Sequence, residues 1–420
     1  MLKINKLHKI KNKKFSYKTV LIIVFLLMVI AIESISIFNI NPLKTIPTSP
    51  LGSPNLPMKI YAENIVNICK SAPYRPSCYD KEVPKLMDSP INLSMENAFN
   101  VTVIIQDLDK SYIYCHILGH ELSAKEVDRN PSAWEDVVTR CPANVCSNGC
   151  IHGGFQERFR KVSMTKQEVK NIIPQLQNLC EPRKNWSPTG MEKASCYHAV
   201  GHLVMYITTA DINESLNLCK TIAVKPNGED YLQLCYDGVF MQIFQPLEPE
   251  DFALVKGKQP TKSTLLSFCN KYDKQARASC ISESWPLFFD ELSTASGIIN
   301  FCAMETPDNV KRCYQAMFYV KAPTLNFDLD KMEEICKEMP DDVKPICFAN
   351  MSSRMIETDY RNSSKSVELC VRAGSYGNDS GNQCFNELLF YSKYNFKPDS
   401  KEFYDMCNAM PQPWRAKCLN

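Results

Sequence analysis

The chain has 420 residues, a formal net charge of +2 and nearly balanced acids and bases, 46 against 48, which excludes a nucleic-acid surface built on net charge beyond the first 18 residues. Glycine is scarce at 14 residues. No P-loop, dinucleotide fingerprint, G-x-S-x-G elbow or H-E-x-x-H zincin pattern occurs, so those enzyme classes are excluded as well.

Residues 1–18 form a basic tail carrying Lys3, Lys6, Lys9, Lys11, Lys13, Lys14 and Lys18, followed by a 13-residue apolar run over 20–32. That run is shorter than the ~20 residues of a spanning helix, but residues 34–40 continue it beyond Glu33. A cleaved signal peptide and a signal anchor both fit; without a small-x-small cleavage site, 19–40 is read as an uncleaved transmembrane anchor. The lysines then remain cytoplasmic and the bulk of the chain is extracytoplasmic, a single-pass arrangement. Twenty cysteines, none before Cys69, agree with an oxidising exterior. A cytosolic zinc protein is disfavoured because no C-x2-C couple is present. Residues 41–58, with five prolines, read as an extended tether.

Beyond the tether the cysteines fall into pairs: Cys180/Cys196, Cys219/Cys235, Cys269/Cys280, Cys302/Cys313, Cys336/Cys347, Cys370/Cys384 and Cys407/Cys418. Separation within a pair varies from 11 to 16, yet the step to the next pair is 22 or 23 everywhere except between Cys235 and Cys269, where it is 34. A constant step between variable loops marks a packed repeating unit. Around Cys302 the pattern predicts a helix ending over 298–304, a turn at Thr306, Pro307 and Asp308 with Asp308 as N-cap, and a second helix over 310–321. The next unit repeats this over 329–339 and 343–356. Each first helix is about ten residues and marginal alone, so a crosslink at the closed end of the hairpin, about 3 kcal/mol in the chain-entropy account, substitutes for core. Aromatic residues follow the second cysteine at Tyr79, Tyr197, Tyr236, Tyr314, Phe348 and Phe385, and read as core between stacked hairpins. Cys69/Cys78 and Cys141/Cys150 fit shorter closures, leaving Cys115 to pair with Cys146. Residues 246–263 are read as a linker between an N-terminal sub-array, 59–245, and a C-terminal one, 264–420.

The fold class is therefore all-α, an array of disulfide-closed hairpins. It resembles the tetratricopeptide-like α-solenoids, particularly secreted cysteine-rich ones, over 180–420 by spacing and more loosely from residue 60. The W-x2-L-G-x2-Y pattern of ordinary tetratricopeptide repeats is absent. The resemblance implies a curved surface that takes a protein or peptide partner.

Apart from His8 in the tail, every histidine lies between 116 and 202, each close behind a cysteine: His116, His120, His152, His198 and His202. His116–His120 and His198–His202 are both H-x-x-G-H, which puts two imidazoles one turn apart on one helix face. The glycine admits another backbone or a flat ligand. Two residues after the cysteine, where His152 and His198 stand, later repeats carry Asp237, Ser282, Gln315, Ala349 and Asn386, so packing alone does not require histidine there. The set is read as a site for a transition metal, zinc, copper or iron, or for haem, with Glu121, Glu157 and Asp237 as further oxygen ligands or orienting partners. Satisfied polar residues in a helix interface are the competing reading.

The expected function is that of a membrane-anchored extracytoplasmic repeat protein that binds a partner and carries a metal. Alternatives are a metal-dependent oxidoreductase or hydrolase using the histidines, and a purely structural scaffold. No nucleic-acid partner is expected.

Overall fold

Helix begins at Leu56, inside the stretch read as tether. The computed structural model describes residues 56–420 apart from 161–163, 184, 185 and 248. The basic tail, the anchor segment 19–40 and the tether up to residue 55 lie outside the described residues. Among those described there is no strand, only the isolated bridges Arg183 to Trp186 and Val224 to Asp230, and no helix is long and apolar enough to cross a membrane.

The helices come as hairpins whose crosslinks match the cysteine spacing. Helices α1 (Leu56–Cys69) and α2 (Arg75–Glu82) are joined by Cys69–Cys78. Next come α3 (Met95–Leu108) and α4 (His116–Arg129), then α5 (Trp134–Thr139) and α6 (Gly149–Arg160), closed by Cys141–Cys150, with Cys115–Cys146 tying α4 to the start of α6. Cys180–Cys196 closes α7 (Lys166–Asn178) on α8 (Gly190–Ile207), and Cys219–Cys235 closes α9 (Ile212–Ala223) on α10 (Leu232–Phe244). After α11 (Pro249–Val255), Cys269–Cys280 joins α12 (Leu265–Cys269) to α13 (Lys274–Glu283), and Cys302–Cys313 joins α14 (Ala295–Cys302) to α15 (Val310–Thr324).

The last three hairpins follow the same plan. Cys336–Cys347 closes α16 (Leu329–Lys337) on α17 (Lys344–Thr358), Cys370–Cys384 closes α18 (Ser363–Ala373) on α19 (Asn378–Asn395), and Cys407–Cys418 closes α20 (Lys401–Ala409) on α21 (Trp414–Leu419). Cys280, Cys313, Cys347, Cys384 and Cys418 each lie within the second helix of their hairpin and are buried. The bridges are therefore internal to the packing rather than surface clasps. All twenty cysteines are paired, as the spacing predicts.

Local chemistry starts the helices where the hairpins need them. Thr165 and Thr189 form capping boxes with Glu168 and Glu192, and Asp211, Asp273 and Asp328 cap their helices through side-chain carboxylates. The Asp308 cap is not formed: α15 starts at Val310, where the pattern places it, but the residue before it is Asn309, and Asp308 instead stands exposed 3.5 Å from Lys274. The aromatic residues after the second cysteines are all buried. Residues 246–263, read as a linker, contain α11, whose Asp251 is buried.

The second helices make an inner layer, packing in the order α4, α6, α8, α10, α13, α15, α17, α19. Helix α17 is buried on nearly all faces, as expected of a helix enclosed by neighbours. The series then turns back on itself, because α19 also packs on α8. Asn144 donates to the Asn395 carbonyl at 3.1 Å, and Arg361 reaches Asp107 at 2.7 Å and Gln106 at 3.0 Å. The described residues thus belong to one compact unit.

Candidate metal centre

Two helix crossings build the centre, and both rest on glycine. A Cβ on Gly149 would stand 2.2 Å from the His116 carbonyl oxygen, and one on Gly153 2.2 Å from that of His120. The neighbouring crossing repeats the arrangement, with a Cβ on Gly238 falling 2.0 Å from the His198 carbonyl oxygen and one on Gly201 2.2 Å from that of Cys235. The glycine of each H-x-x-G-H segment also receives a neighbouring backbone, Gly201 as above and Gly119 with Cys150 N 3.0 Å from its Cβ position, which leaves the imidazoles of α4, α6 and α8 on adjacent inner-layer helices.

All five rings meet. His116 and His120 bring their Nε2 atoms to 3.1 Å, and with His152 they offer ligand atoms all within 4.8 Å of one another, a set that could hold a metal ion. His198 and His202 bring their Nε2 atoms to 3.2 Å. His152 joins the two pairs: its ring stacks on His198 at 5.4 Å between centroids and lies 5.7 Å from His202 and 5.0 Å from His116. Two imidazoles sharing a tetrahedral metal at about 2.0–2.1 Å stand roughly 3.3–3.4 Å apart, so the observed spacings are close to those of shared coordination.

The outer nitrogens are held by acceptors. The Nδ1–H of His116 donates to the Ser147 carbonyl at 3.2 Å. That carbonyl is presented by a left-handed turn in which Cys146, Ser147 and Asn148 all have φ near +50°, a conformation costly for side-chain-bearing residues and here held between two disulfides. The Nδ1–H of His202 donates to Gln242 Oε1 at 2.7 Å, and Gln242 Nε2 donates to Asp251 at 2.9 Å. A carboxylate only accepts, so Asp251 fixes which way the amide points. Tyr206 also donates to Asp251. Both relays leave an Nε2 lone pair facing the centre, the arrangement in which outer partners orient metal-binding histidines.

Burial, helped by the positive Arg354, pushes His116 down to about 4. Burial and the neighbouring imidazoles hold His120, His152 and His198 well below the usual histidine range, and burial also lowers His202 against the opposing effect of Gln242 and Asp251. The rings are therefore neutral at neutral pH, the form that ligates metal.

Of the expected oxygen ligands, none joins a ligand set among the described residues. Glu121 is exposed and on the side of Asp80, while Glu157 is buried on α6. Asp237 is taken by Arg312, at 2.5 and 2.7 Å, and by Ser279 at 2.6 Å. Its place in the repeat is set by cysteine register, whereas side-chain direction at these crossings follows the glycines. Counting from the glycine, the residue three beyond Gly149 is His152 and that three beyond Gly238 is Met241. Met241 Sδ lies 3.3 Å from His198 Nε2, a neighbour that the cysteine register hides.

A second group comes from the far end of the chain. The Arg354 guanidinium lies 3.8 Å over the Tyr319 ring and 5.8 Å from that of Tyr114, which in turn stacks at 5.8 Å on His116. Arg354 donates to Glu357 at 2.6 Å and to the Tyr319 hydroxyl, which donates to Glu357. Arg354 Nε and Glu357 Oε2 are buried without a hydrogen-bond partner, although Tyr114 is 41% and Tyr319 36% exposed. A charged, aromatic wall thus adjoins the histidines.

No protein-family model matches the chain, and none of the curated proteins is significantly similar to it.

Proposed function

We propose that this protein binds a transition metal through its clustered imidazoles, on the oxidising face of a membrane to which residues 19–40 anchor it. The observation that carries the reading is the convergence of His116, His120 and His152 within 4.8 Å as neutral, lone-pair-bearing ligands. A nearly all-nitrogen donor set suits zinc, copper or iron. Haem fits less well, since His116 and His120 touch at 3.1 Å and leave no gap for a porphyrin plane between them. The ten disulfides support an extracytoplasmic location. The hairpin series, similar in plan to tetratricopeptide-like arrays, offers its surface to a protein or peptide partner.

Metal analysis of the full-length, oxidised protein in detergent tests this. The expected result is stoichiometric metal that falls in His116→Ala/His120→Ala and persists in His8→Ala; a metal-free wild type overturns it. A metal-dependent enzyme is the second reading, favoured by Arg354, whose partnerless Nε and open aromatic neighbours suit an anionic substrate beside the metal. Its signature is a turnover that Arg354→Lys lowers without changing metal content.

A further inference from the structure

We infer that the imidazole cluster comprises two metal sites of different chemical softness, and that the second, formed by His198, His202 and Met241, takes Cu(I). The inference rests on the metal-binding reading above. It starts from the internal repetition: α4 crosses α6 as α8 crosses α10, with Gly149 under the His116 carbonyl and Gly238 under that of His198. In that common register His152 and Met241 are equivalent, so the chain has built the same three-ligand frame twice and exchanged one imidazole for a thioether.

His198 is within ligand spacing of both partners. His198 Nε2 lies 3.2 Å from His202 Nε2 and 3.3 Å from Met241 Sδ. The relay from Asp251 through Gln242 holds His202 Nδ1 protonated and its Nε2 free to ligate. His198 and Met241 are each half-buried, which gives an ion a way in, whereas His116, His120, His152 and His202 are buried. Thioether sulfur discriminates sharply: it is a soft donor that selects Cu(I) over zinc and other harder divalent ions, while three imidazoles accept zinc, copper or iron. No carboxylate joins the second set among the described residues, so nothing there favours a hard ion. His152, stacked on His198 at 5.4 Å, stands between the two sites.

The test uses the full chain in a mild detergent with its disulfides intact. It is titrated with Cu(I), kept reduced by ascorbate, against a chromophoric Cu(I) chelator, and in parallel with Zn(II). All twenty cysteines are in disulfides, so a sulfur donor seen by X-ray absorption of the copper-loaded wild type is a thioether. The expected result is such a sulfur shell, with two Cu(I) equivalents. Met241→Leu, close to volume-conserving, should lose the sulfur shell and weaken one Cu(I) equivalent by more than the roughly 10–100-fold that loss of an orienting partner causes, while Zn(II) binding by the three-histidine set is unchanged. A nitrogen-only shell in the wild type, or a Met241→Leu protein that keeps both equivalents, overturns the second site alone. A wild type that binds neither ion overturns the metal reading itself. The wild-type spectrum decides the matter even if Met241→Leu fails to fold.

Discussion

Gly153→Ala adds one methyl group and replaces no ligand, yet the crossing geometry makes it costly. The added Cβ would lie 2.2 Å from the His120 carbonyl oxygen, 2.5 Å from His120 Cα and 2.5 Å from Ser123 Oγ. Ordinary contact requires about 3.5 Å, so α4 and α6 must separate by about 1 Å. Two of the three obstructing atoms are backbone and cannot rotate away, which places the cost near the upper end of overpacking, about 3 kcal/mol. The same displacement exceeds the ~0.5 Å tolerance of a preorganised ligand set, because His152 is next to Gly153 while His116 and His120 move with the other helix. The variant should therefore unfold at lower guanidinium concentration and bind metal roughly 10–100-fold more weakly in a chelator competition, the scale of an orienting loss. Gly374→Ala is the control: no atom lies within 4 Å of its Cβ position and its φ is −59°, so both measurements should match wild type. A Gly153→Ala protein with the wild-type midpoint and affinity would refute the claim that glycine contact sets the ligand geometry.

Gln242→Leu removes the acceptor from His202 Nδ1 and a donor from buried Asp251, so denaturant unfolding should show a loss of about 1–3 kcal/mol and chelator competition a weaker affinity at the His198 and His202 pair. Arg354→Met leaves the Glu357 carboxylate buried without its guanidinium and should cost about 3–5 kcal/mol by the same assay, most of it recovered in Arg354→Met/Glu357→Leu, where neither charge is buried. The Cys115→Ala/Cys146→Ala pair opens a 31-residue loop and should cost about 4 kcal/mol in the chain-entropy account, with metal affinity falling as the Ser147 turn loosens its hold on His116. Burial raises the Asp80 carboxyl to about 6 despite the bond from Tyr112. Folding therefore favours its protonated form, a contribution fully present below the ordinary value near 3.8 and lost as pH rises through 6. Asp80→Asn should stabilise the protein more at pH 8 than at pH 4, by up to about 3 kcal/mol, as read from unfolding midpoints at the two pH values.

The hairpins and the seven crosslinks from Cys180 onward were legible because each couples residues only 11 to 16 apart, and a 22–23-residue step between most of them survives whatever the loops do; the pairing among Cys115, Cys141, Cys146 and Cys150 falls outside that step and spacing alone left it open. In the later repeats that step runs from the second cysteine of one hairpin to the first of the next, from Cys280 to Cys302, Cys313 to Cys336, Cys347 to Cys370 and Cys384 to Cys407, and it spans the buried second helix whose length the packing fixes. The five histidines were legible for the same reason, each lying in register with a nearby cysteine. Met241 was not: one of 17 methionines, it reads as core filler, and only the glycine register places it opposite His198. Arg354 and Tyr319 were hidden more deeply. They come to Tyr114 and His116 through closure of the helix series, held by contacts such as Arg361 to Asp107, 254 residues apart, and local spacing carries no trace of a contact at that distance. The Asp308 cap failed by a single residue, within the ordinary uncertainty of helix ends.

A cluster of buried neutral imidazoles and a buried Arg354–Glu357 pair oppose folding. Each polar group withdrawn from water must be partnered or costs about 1–3 kcal/mol, and the buried ion pair adds desolvation that its own attraction scarcely repays. The short first helices supply little to offset this, α12 and α14 being 5 and 8 residues long, below the length at which a helix is stable alone. The crosslinks act on the other side of the balance, since each restricts the unfolded chain by about 3 kcal/mol whatever the core contains. Stability that does not depend on core composition permits an inner layer in which α4, α6, α8 and α17 carry polar side chains toward one another. On this account the density of disulfides and the polarity of the inner layer have a common cause. Restoring apolar residues at the histidine positions, for example His198→Leu/His202→Leu, should then make the Cys219–Cys235 bridge more dispensable, which unfolding of the variant with and without that bridge would measure.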